Sequence, residues 1–340
     1  MRKSFFRAVL ILLIGGGAVS AWLYNQFYGS AVDTPMVITV SSEDINMPFD
    51  DFVETAILPN IDHDLGFKFY AKYLNLDSSL KEGEYKIAKN SSVIDIVRTL
   101  KLAGKASVNV TFNNVRTPAE LAGRISHQID VDSVDMLSYL SQPQVAEQYG
   151  FTQTTLFAMF IPNTYELYRN TTAEEFVARM AKEYKNFWSD ERKTKAKARN
   201  LSQTEVMTLA SIVYEETKQT AEMARVAGVY LNRLRIGMPL QADPTVKYAV
   251  GDFTIKRVLK KHLEVDSPYN TYKYNGLPPS PIAMPSIAAI DAVLDAEEHS
   301  YLYFCARPTF DGYHNFAKTL SEHNRNAQAY IRELNRLKIK

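Results

Sequence analysis

The sequence lacks several features that common kinds of protein chemistry require, beginning with cysteine. Its single cysteine, Cys305, has no partner for an internal disulfide and lies in the strand-like run YLYFC, which is typical of a core position. A thiol nucleophile needs an activating neighbour, and a lipoprotein needs a cysteine directly after its N-terminal apolar segment; the sequence shows neither. The cysteine count therefore argues against a disulfide framework, thiol catalysis and N-terminal lipidation.

An excess of charge of either sign is also missing. The chain carries 39 Lys and Arg against 38 Asp and Glu, a net charge of +1, and has no long basic run. Proteins that bind nucleic acids normally concentrate positive charge on one face. The sequence therefore predicts no nucleic-acid partner.

Motifs for metal, serine and nucleotide chemistry are absent from the sequence as well. The six histidines form no HExxH or other tight ligand spacing. No G-x-S-x-G elbow marks a serine nucleophile, and no dinucleotide fingerprint is present. The glycines at 15–17 lack the lysine of a phosphate loop and fit a membrane helix better. We predict neither a metal site nor a cofactor.

The N-terminus is apolar and is predicted to anchor the chain in a membrane. Positive charges at Arg2, Lys3 and Arg7 precede an uncharged run that is long enough to span a bilayer. By the positive-inside bias, residues 1–32 form a cytoplasmic tip and one transmembrane helix, with the rest of the chain outside. The small residues at 19–21 leave a cleaved signal peptide open as an alternative. Both interpretations export the chain.

The pattern of apolar residues predicts an α+β fold with two folded regions. Residues 36–112 alternate strand-like runs such as MVITV and GEYKIA with short helical stretches, which indicates a small α+β module. A turn at Gly83, a strand and a capped helix ending near Gly104 resemble the carbohydrate-binding LysM type, although a generic α+β spacer fits equally well. Residues 113–340 predict a helix-rich, mixed α+β domain, interrupted over 236–286 by residues typical of loops.

The most informative helix is predicted over residues 201–217, LSQTEVMTLASIVYEET. Ser202 followed by Glu205 is a capping-box pattern, and apolar residues recur behind it at helical spacing. At about 100° per residue, Glu215 falls roughly opposite the apolar stripe and Glu216 falls beside it. Burial should raise the pKa of Glu216 and make it a proton donor near neutral pH. The alternative is a structural ion pair at the helix end.

Segments rich in aromatic and amide side chains accompany this helix. Such side chains suit a glycan, although ordinary loop packing would also use them. The segments are FIPNTYELY at 160–168, LQADPTVKY at 240–248, SPYNTYKYNGLPPSPIAMPS at 267–286 and YHNF at 313–316. Together with ASIVYEET, they resemble the YceG-like family of endolytic murein transglycosylases, over roughly residues 160–324.

The resemblance implies an enzyme that cuts peptidoglycan glycan strands internally, and it places the single catalytic glutamate at Glu216. The acid would first protonate the glycosidic oxygen between muramic acid and glucosamine. As a carboxylate it would then take the proton of the muramic acid C6 hydroxyl, which closes onto C1 and leaves a 1,6-anhydro end. We expect polar contacts with the substrate from Gln241, Asp243, Tyr269, Asn270, Tyr272 and His314.

The resemblance also implies where such an enzyme works and with what. It would be a single-pass protein of the inner (cytoplasmic) membrane, with its N-terminus in the cytoplasm and its catalytic domain in the periplasm. Its substrate would be peptidoglycan glycan strands, its protein partners would be peptidoglycan synthases, and it would need no cofactor.

The sequence departs from the family pattern at three positions. Tyr214 and Glu215 stand where the family usually has Glu and Lys, and Asn163 stands where Asp is common. Two alternatives therefore stay open. One is a hydrolase with Asp243 or Glu166 as the second carboxylate that ordinary glycosidases need. The other is a non-catalytic, peptidoglycan-binding scaffold.

Overall fold

The structure is a computed structural model that describes residues 16–102 and 107–337. The fold is mixed α+β and rich in helices, as the sequence predicts. The chain forms two compact units: unit 1 is Met1–Val108 with Tyr168–Asn170, and unit 2 is Asn109–Leu167 with Thr171–Lys340.

Unit 1 is built on an antiparallel pair of strands. The pairing runs from Met36 opposite Ile87 to Val40 opposite Gly83, and alternate side chains of both strands are buried. The predicted strands MVITV and GEYKIA are thereby confirmed. The elements up to residue 102 are α1 (16–28), β1 (Met36–Val40), α2 (Ser42–Asn46), α3 (Phe49–Phe52), a π turn (Val53–Ile57), a 3-10 turn (Leu58–Asn60), α4 (Asp64–Tyr73), β2 (Gly83–Ile87) and α5 (Val93–Leu102). None of this distinguishes a LysM-like module from another α+β module, so the boundaries at 36–112 and 113–340 stay predictions.

The first part of the predicted membrane anchor, residues 1–15, lies outside the described residues, which begin at position 16. Within residues 16–102 and 107–337, no helix combines the length and the apolar character that crossing a membrane requires. The helix α1 exposes the rings of Trp22, Tyr24 and Tyr28, and Phe27 packs edge-on against Phe69 of α4 at 5.8 Å between ring centroids. The anchor therefore stays a prediction.

Unit 2 is centred on the helix that carries Glu216. From residue 107 onward the elements are β3 (Ser107–Phe112), α6 (Pro118–Ser126), α7 (Ser133–Leu140), α8 (Pro143–Gln148), a 3-10 turn (Leu156–Met159), β4 (Asn163–Tyr168), α9 (Ala173–Phe187), α10 (Asp190–Ala198), α11 (Gln203–Glu216), α12 (Thr220–Arg235), α13 (Asp243–Val250), α14 (Lys260–Leu263), α15 (Ile287–Leu294), β5 (Tyr303–Ala306), β6 (His314–Ala317) and α16 (Leu320–Arg336). The strands β3 and β4 pair with each other, as do β5 and β6.

The helix α11 differs from its predicted amphipathic form because neighbours cover it on several sides. Every residue from 206 to 213 is buried, and α12, α13 and α15 all pack against it. A helix enclosed in this way needs no polar face along its middle. The buried stretch ends just before Tyr214, Glu215 and Glu216, which are all partly exposed. The acids of α11 therefore lie where the core meets the surface.

Two sequence expectations need correction. The strand-like character of YLYFC is confirmed by β5, but Cys305 is only partly buried, because a two-stranded ribbon leaves every residue of β5 some exposure.

The supposed loop between 236 and 286 contains α13 and α14. The helix α13 begins at Asp243 with Pro244 in its first turn and ends at Val250, where it is capped by Gly251 with a φ of 77°. A proline at the start and a left-handed glycine at the end are typical helix signals that the sequence did contain.

Candidate active site

The N-terminal cap of α11 fixes where the helix begins and hence where Glu216 lies. The backbone N–H of Glu205 donates to the Ser202 hydroxyl at 3.2 Å, and the Ser202 N–H donates to the Glu205 carboxylate at 2.8 Å. The predicted capping box is therefore confirmed. Glu216 is the last residue of the helix, and Thr217 leaves it in an extended conformation.

Glu216 is partly buried, contacts Tyr230 of α12 and interacts electrostatically with charged side chains of α13. The Tyr230 hydroxyl donates a hydrogen bond to its Oε1 atom at 2.8 Å. The pKa of Glu216 is raised to about 7, mainly by burial and also by the negative charge of Asp243, whereas the Tyr230 hydrogen bond and the positive charges of Arg233 and Lys247 oppose the rise. The pKa thus rises as the phase of the helix predicts. An acid with this pKa populates both protonation states near neutral pH.

Glu215 lies in a different environment from Glu216 and forms two ion pairs. Its carboxylate accepts from Arg116 Nη2 at 2.9 Å and from Lys218 Nζ at 3.3 Å. The Lys218 ammonium also lies 3.5 Å from the centroid of the Tyr214 ring. These contacts give the unusual Tyr214-Glu215 pair a structural role, and they satisfy Glu215 without involving Glu216.

Arg233 ties the segment before α13 to α12. Its buried guanidinium donates to the carbonyls of Leu240 at 2.6 Å and Leu302 at 2.7 Å. Burial lowers the pKa of Arg233, and its charge acts on Glu216. The arginine therefore serves both to hold the backbone that leads to Gln241 and to supply positive charge near the acid.

Asp243 and Tyr272 form a pair beside Glu216. The Tyr272 hydroxyl donates to Asp243 Oδ1 at 2.6 Å. Burial and the Asp243 carboxylate raise the pKa of Tyr272, and the charge of Glu216 adds to this rise. The structure thus brings these two predicted residues together with Glu216 in one electrostatic cluster.

Gln241 is exposed and its backbone is strained, with a φ of 47°. Its N–H donates to the Thr271 carbonyl at 3.1 Å, and the N–H of Ala242 donates to the Thr271 hydroxyl at 3.0 Å. The buried Thr271 hydroxyl also lies 2.8 Å from that of Thr245. Thr271, which the sequence did not single out, therefore joins the segment of Gln241 to the segment of Tyr272.

The structure gives Asn270 and Tyr269 roles in building the loop. Asn270 is fully buried, and its amide donates to the carbonyls of Leu263 at 2.9 Å and Val265 at 2.8 Å. The Tyr269 hydroxyl lies 2.6 Å from that of Ser280. The predicted glycan contacts of Asn270 and Tyr269 stay predictions, and the polar atoms of Asn270 are already used within the loop.

Tyr269 also lines a mainly apolar cavity of about 190 Å³ that does not include Glu216. The ring of Tyr248 lies 4.7 Å from that of Tyr269 at this cavity. Arg116 is also on its wall and links it to Glu215 through their ion pair. Tyr269 is thereby placed in a neighbouring pocket and not in the cluster around Glu216.

His314 is held by a buried carboxylate that the sequence analysis missed. Glu222 of α12 accepts from His314 Nδ1 at 2.6 Å and from the His314 N–H at 3.1 Å. The same carboxylate accepts from the hydroxyl of Thr217 at 2.8 Å. His314 is therefore linked through Glu222 to Thr217, the residue that follows Glu216. The sequence analysis did not single out Glu222, because its partner His314 lies 92 residues further along the chain.

The part of the chain that the structure describes holds no group of three or more His, Cys, Asp or Glu side chains arranged to bind a metal ion. Asn163 is exposed at the start of β4, where its side-chain oxygen accepts from the N–H of Thr164 at 2.8 Å. Glu166 is exposed on the same strand and is not among the charges that shift the pKa of Glu216.

The raised pKa of Glu216 has a consequence for stability. Between its ordinary value of 4.5 and about 7, the folded chain keeps a proton that the unfolded chain has lost, so this contribution to stability falls as the pH rises through that window. Glu216→Gln has no charge to bury and should be more stable than the parent chain by about 1–3 kcal/mol at about pH 8, with little difference at about pH 4. Urea unfolding at both pH values checks this. A stability difference that does not change with pH would contradict it.

Comparison with known proteins gives concordant matches. The model of the YceG-like family matches residues 55–329. A protein named endolytic murein transglycosylase from Bacillus subtilis (strain 168) is 31% identical over 345 residues, which cover 95% of this chain and 92% of that protein. A protein of the same name from Streptococcus pneumoniae (strain D39) is 29% identical, over 80% of this chain and 54% of its own length. The crystal structure of a yceG-like protein from Listeria monocytogenes has a TM-score of 0.54 at 27% identity, covering 86% of this chain and 99% of that one.

Proposed function

The chain belongs to the YceG-like family, and from that premise we propose that it is a peptidoglycan lytic transglycosylase, a lyase that cuts within glycan strands. The observation that carries the proposal is the state of Glu216. It is a partly buried carboxyl with a pKa of about 7 and a hydrogen-bond donor on one oxygen. Such a group can give up a proton and take one back at the same pH.

The proposed reaction uses Glu216 as acid and then as base. The protonated carboxyl gives its proton to the glycosidic oxygen between muramic acid and glucosamine, and the bond from C1 to that oxygen breaks. The resulting carboxylate takes the proton of the C6 hydroxyl as O6 bonds to C1. A 1,6-anhydro end forms, no water is consumed, and Glu216 ends protonated as it began.

Asp243 is the group we propose to stabilise the positive charge that develops at C1 during bond cleavage. Its carboxylate is close enough to Glu216 to raise the pKa of that acid, and Tyr272 fixes it through a 2.6 Å hydrogen bond. A fixed negative charge beside the reacting sugar stabilises such a transition state. Gln241 and Tyr272 are proposed to contact the sugars beside it, and His314 to contact substrate from the side of Thr217.

A hydrolase that uses Asp243 is the second candidate. The electrostatic coupling between Asp243 and Glu216 is the observation that favours it, because ordinary glycosidases need two carboxylates. Glu166 has no such coupling and lies exposed on β4, so it is the weaker choice for that role. The two reactions differ in the ends that they leave.

We also propose the setting in which the enzyme acts. Positive charges before the apolar N-terminus favour a single-pass anchor with its N-terminus in the cytoplasm and the catalytic unit in the periplasm. The exposed rings of Trp22, Tyr24 and Tyr28 on α1 suit the outer interface of the membrane. Unit 1 is proposed to act as a LysM-like module that binds glycan, and peptidoglycan synthases are the proposed partners.

Product analysis separates the two reactions. Purified chain incubated with murein sacculi should release muropeptides with anhydro ends, because O6 and not water attacks C1. Borohydride reduces the free ends that hydrolysis leaves and does not reduce anhydro ends, so mass spectrometry before and after reduction distinguishes them. Products that are fully reducible would support the Asp243 hydrolase and overturn the transglycosylase proposal.

A further inference from the structure

Among the residues that the structure describes, Tyr230 is the one whose side-chain hydroxyl donates a hydrogen bond to the Glu216 carboxyl. It is 1% exposed and donates to Glu216 Oε1 at 2.8 Å. Within residues 16–102 and 107–337 this is the hydroxyl's one hydrogen bond. Burial and the neighbouring charge of Glu216 hold the pKa of Tyr230 well above its usual value. The phenol therefore keeps its proton and acts as a donor throughout the neutral range.

A chain of contacts fixes this hydroxyl relative to the end of α11. The Tyr230 ring packs edge-on against Phe304 at 5.8 Å between centroids, and Phe304 packs edge-on against His314 at 5.2 Å. The His314 ring is held by Glu222, which also accepts from Thr217, the residue after the acid. The Tyr230 hydroxyl and the Glu216 carboxyl are thus held in place by one connected set of side-chain contacts.

The charged groups around Glu216 come from two helices besides its own, α12 and α13. Arg233 of α12 and Lys247 of α13 favour the carboxylate, and Asp243 of α13 opposes it. Tyr272, which follows α14, interacts with both Asp243 and Glu216. Tyr230 differs from all of these because it makes a directional bond to one defined oxygen. A hydrogen bond to one oxygen leaves the other free for proton transfer.

We propose that Tyr230 is a positioning residue that reserves Oε1 of Glu216 as an acceptor, so that Oε2 alone delivers the proton to the glycosidic oxygen and later takes the proton of the C6 hydroxyl. The proton leaves Oε2 as the bond from C1 to the leaving oxygen breaks, and it is replaced as the bond from O6 to C1 forms. The catalytic part rests on the proposed function, whereas the effect of the bond on Glu216 is measurable without substrate.

The test compares Tyr230→Phe with a matched control, Tyr165→Phe. Tyr165 is also a buried tyrosine, but its hydroxyl donates to the backbone carbonyl of Ile161 at 2.6 Å. In Tyr230→Phe, the midpoint of the Glu216 carboxyl in a ¹³C NMR titration should rise by about one pH unit, since a carboxylate loses one hydrogen bond. The pH at which kcat/KM declines on the alkaline side should increase by the same amount, and kcat should fall about tenfold or more. Tyr165→Phe should move neither the midpoint nor that pH.

The possible outcomes distinguish a failure of the role proposed for Tyr230 from a failure of the proposed transglycosylase function. A Glu216 midpoint that does not move in Tyr230→Phe overturns the positioning role. A midpoint that moves while kcat and the pH profile stay fixed overturns its catalytic part. A parent chain without transglycosylase activity refutes the proposed function, and the titration still tests the bond. Should Tyr230→Phe fail to fold, 3-fluorotyrosine in place of Tyr230 keeps the shape and strengthens the donor, and the midpoint must then fall.

Discussion

Replacement of Glu216 by glutamine is expected to lower the release of anhydro-ended muropeptides from murein sacculi by about 10³-fold or more. The amide cannot protonate the glycosidic oxygen, and it cannot accept the proton of the C6 hydroxyl, so both proposed steps are lost together. The fold should survive, because the amide oxygen can still accept from Tyr230 and no charge is left to bury. Quantitative mass spectrometry of the products, with circular dichroism of the variant, measures both effects.

Glu215→Gln is the matched control for this prediction. It changes the neighbouring acid of the same helix, whose carboxylate is engaged by Arg116 and Lys218. Activity should stay within about threefold of the parent chain, since a partly exposed ion pair contributes little. If Glu215→Gln lost as much activity as Glu216→Gln, or if Glu216→Gln kept its activity, the assignment of the acid would be wrong.

Replacement of Glu222 by leucine should destabilise the chain by about 3–5 kcal/mol. The carboxylate is 3% exposed and accepts from the Thr217 hydroxyl and from two donors of His314. Leucine would leave the buried Thr217 hydroxyl and the partly buried donors of His314 without this acceptor, and each such loss is costly. Urea denaturation at neutral pH measures the change in the free energy of unfolding.

The control for Glu222→Leu replaces an exposed carboxylate, that of Glu297. Glu297 pairs with Arg225 at 2.9 Å, but its side chain is 42% exposed. Glu297→Leu should therefore cost less than about 1 kcal/mol. Glu222→Gln, which retains one acceptor, should fall between the two leucine variants. A loss below 1 kcal/mol for Glu222→Leu would show that the network around Thr217 does not stabilise the end of α11.

Local signals were sufficient to predict the position and direction of Glu216. The capping box at Ser202 and Glu205 defines the start of α11, and the helical period from that point separates Glu216 from Glu215. Both features depend on residues a few positions apart, so the sequence alone carries them. The ion pairs of Glu215 and the raised pKa of Glu216 agree with that separation.

The residues that tune Glu216 could not be found in this way. Tyr230 and Arg233 look like ordinary positions of a core helix, and only the packing of α12 against α11 brings them to the acid. Glu222 was overlooked because its partner His314 lies far along the chain. These contacts depend on tertiary structure, which a periodic pattern does not encode.

In the segment over residues 236–286, the sequence contained a local helix signal that the sequence analysis did not recognise. The sequence analysis interpreted residues 236–286 as loop, whereas the proline that follows Asp243 is a signal that commonly opens a helix, and α13 begins there. The glycan contact of Asn270 stays a prediction, and what the sequence did not indicate is that its amide donates to the carbonyls of Leu263 and Val265. Polarity predicts that a group needs partners, and burial decides where they come from.

The origin of the new glycan end is the most direct test of the central claim that Glu216 serves in turn as acid and base without a water nucleophile. Murein sacculi should be digested in water enriched in ¹⁸O, and the released muropeptides analysed by mass spectrometry. We predict that the new muramic acid ends carry no ¹⁸O, because O6 of the same sugar forms the bond to C1. Incorporation of one ¹⁸O atom at each new end would contradict the claim and identify the enzyme as a hydrolase.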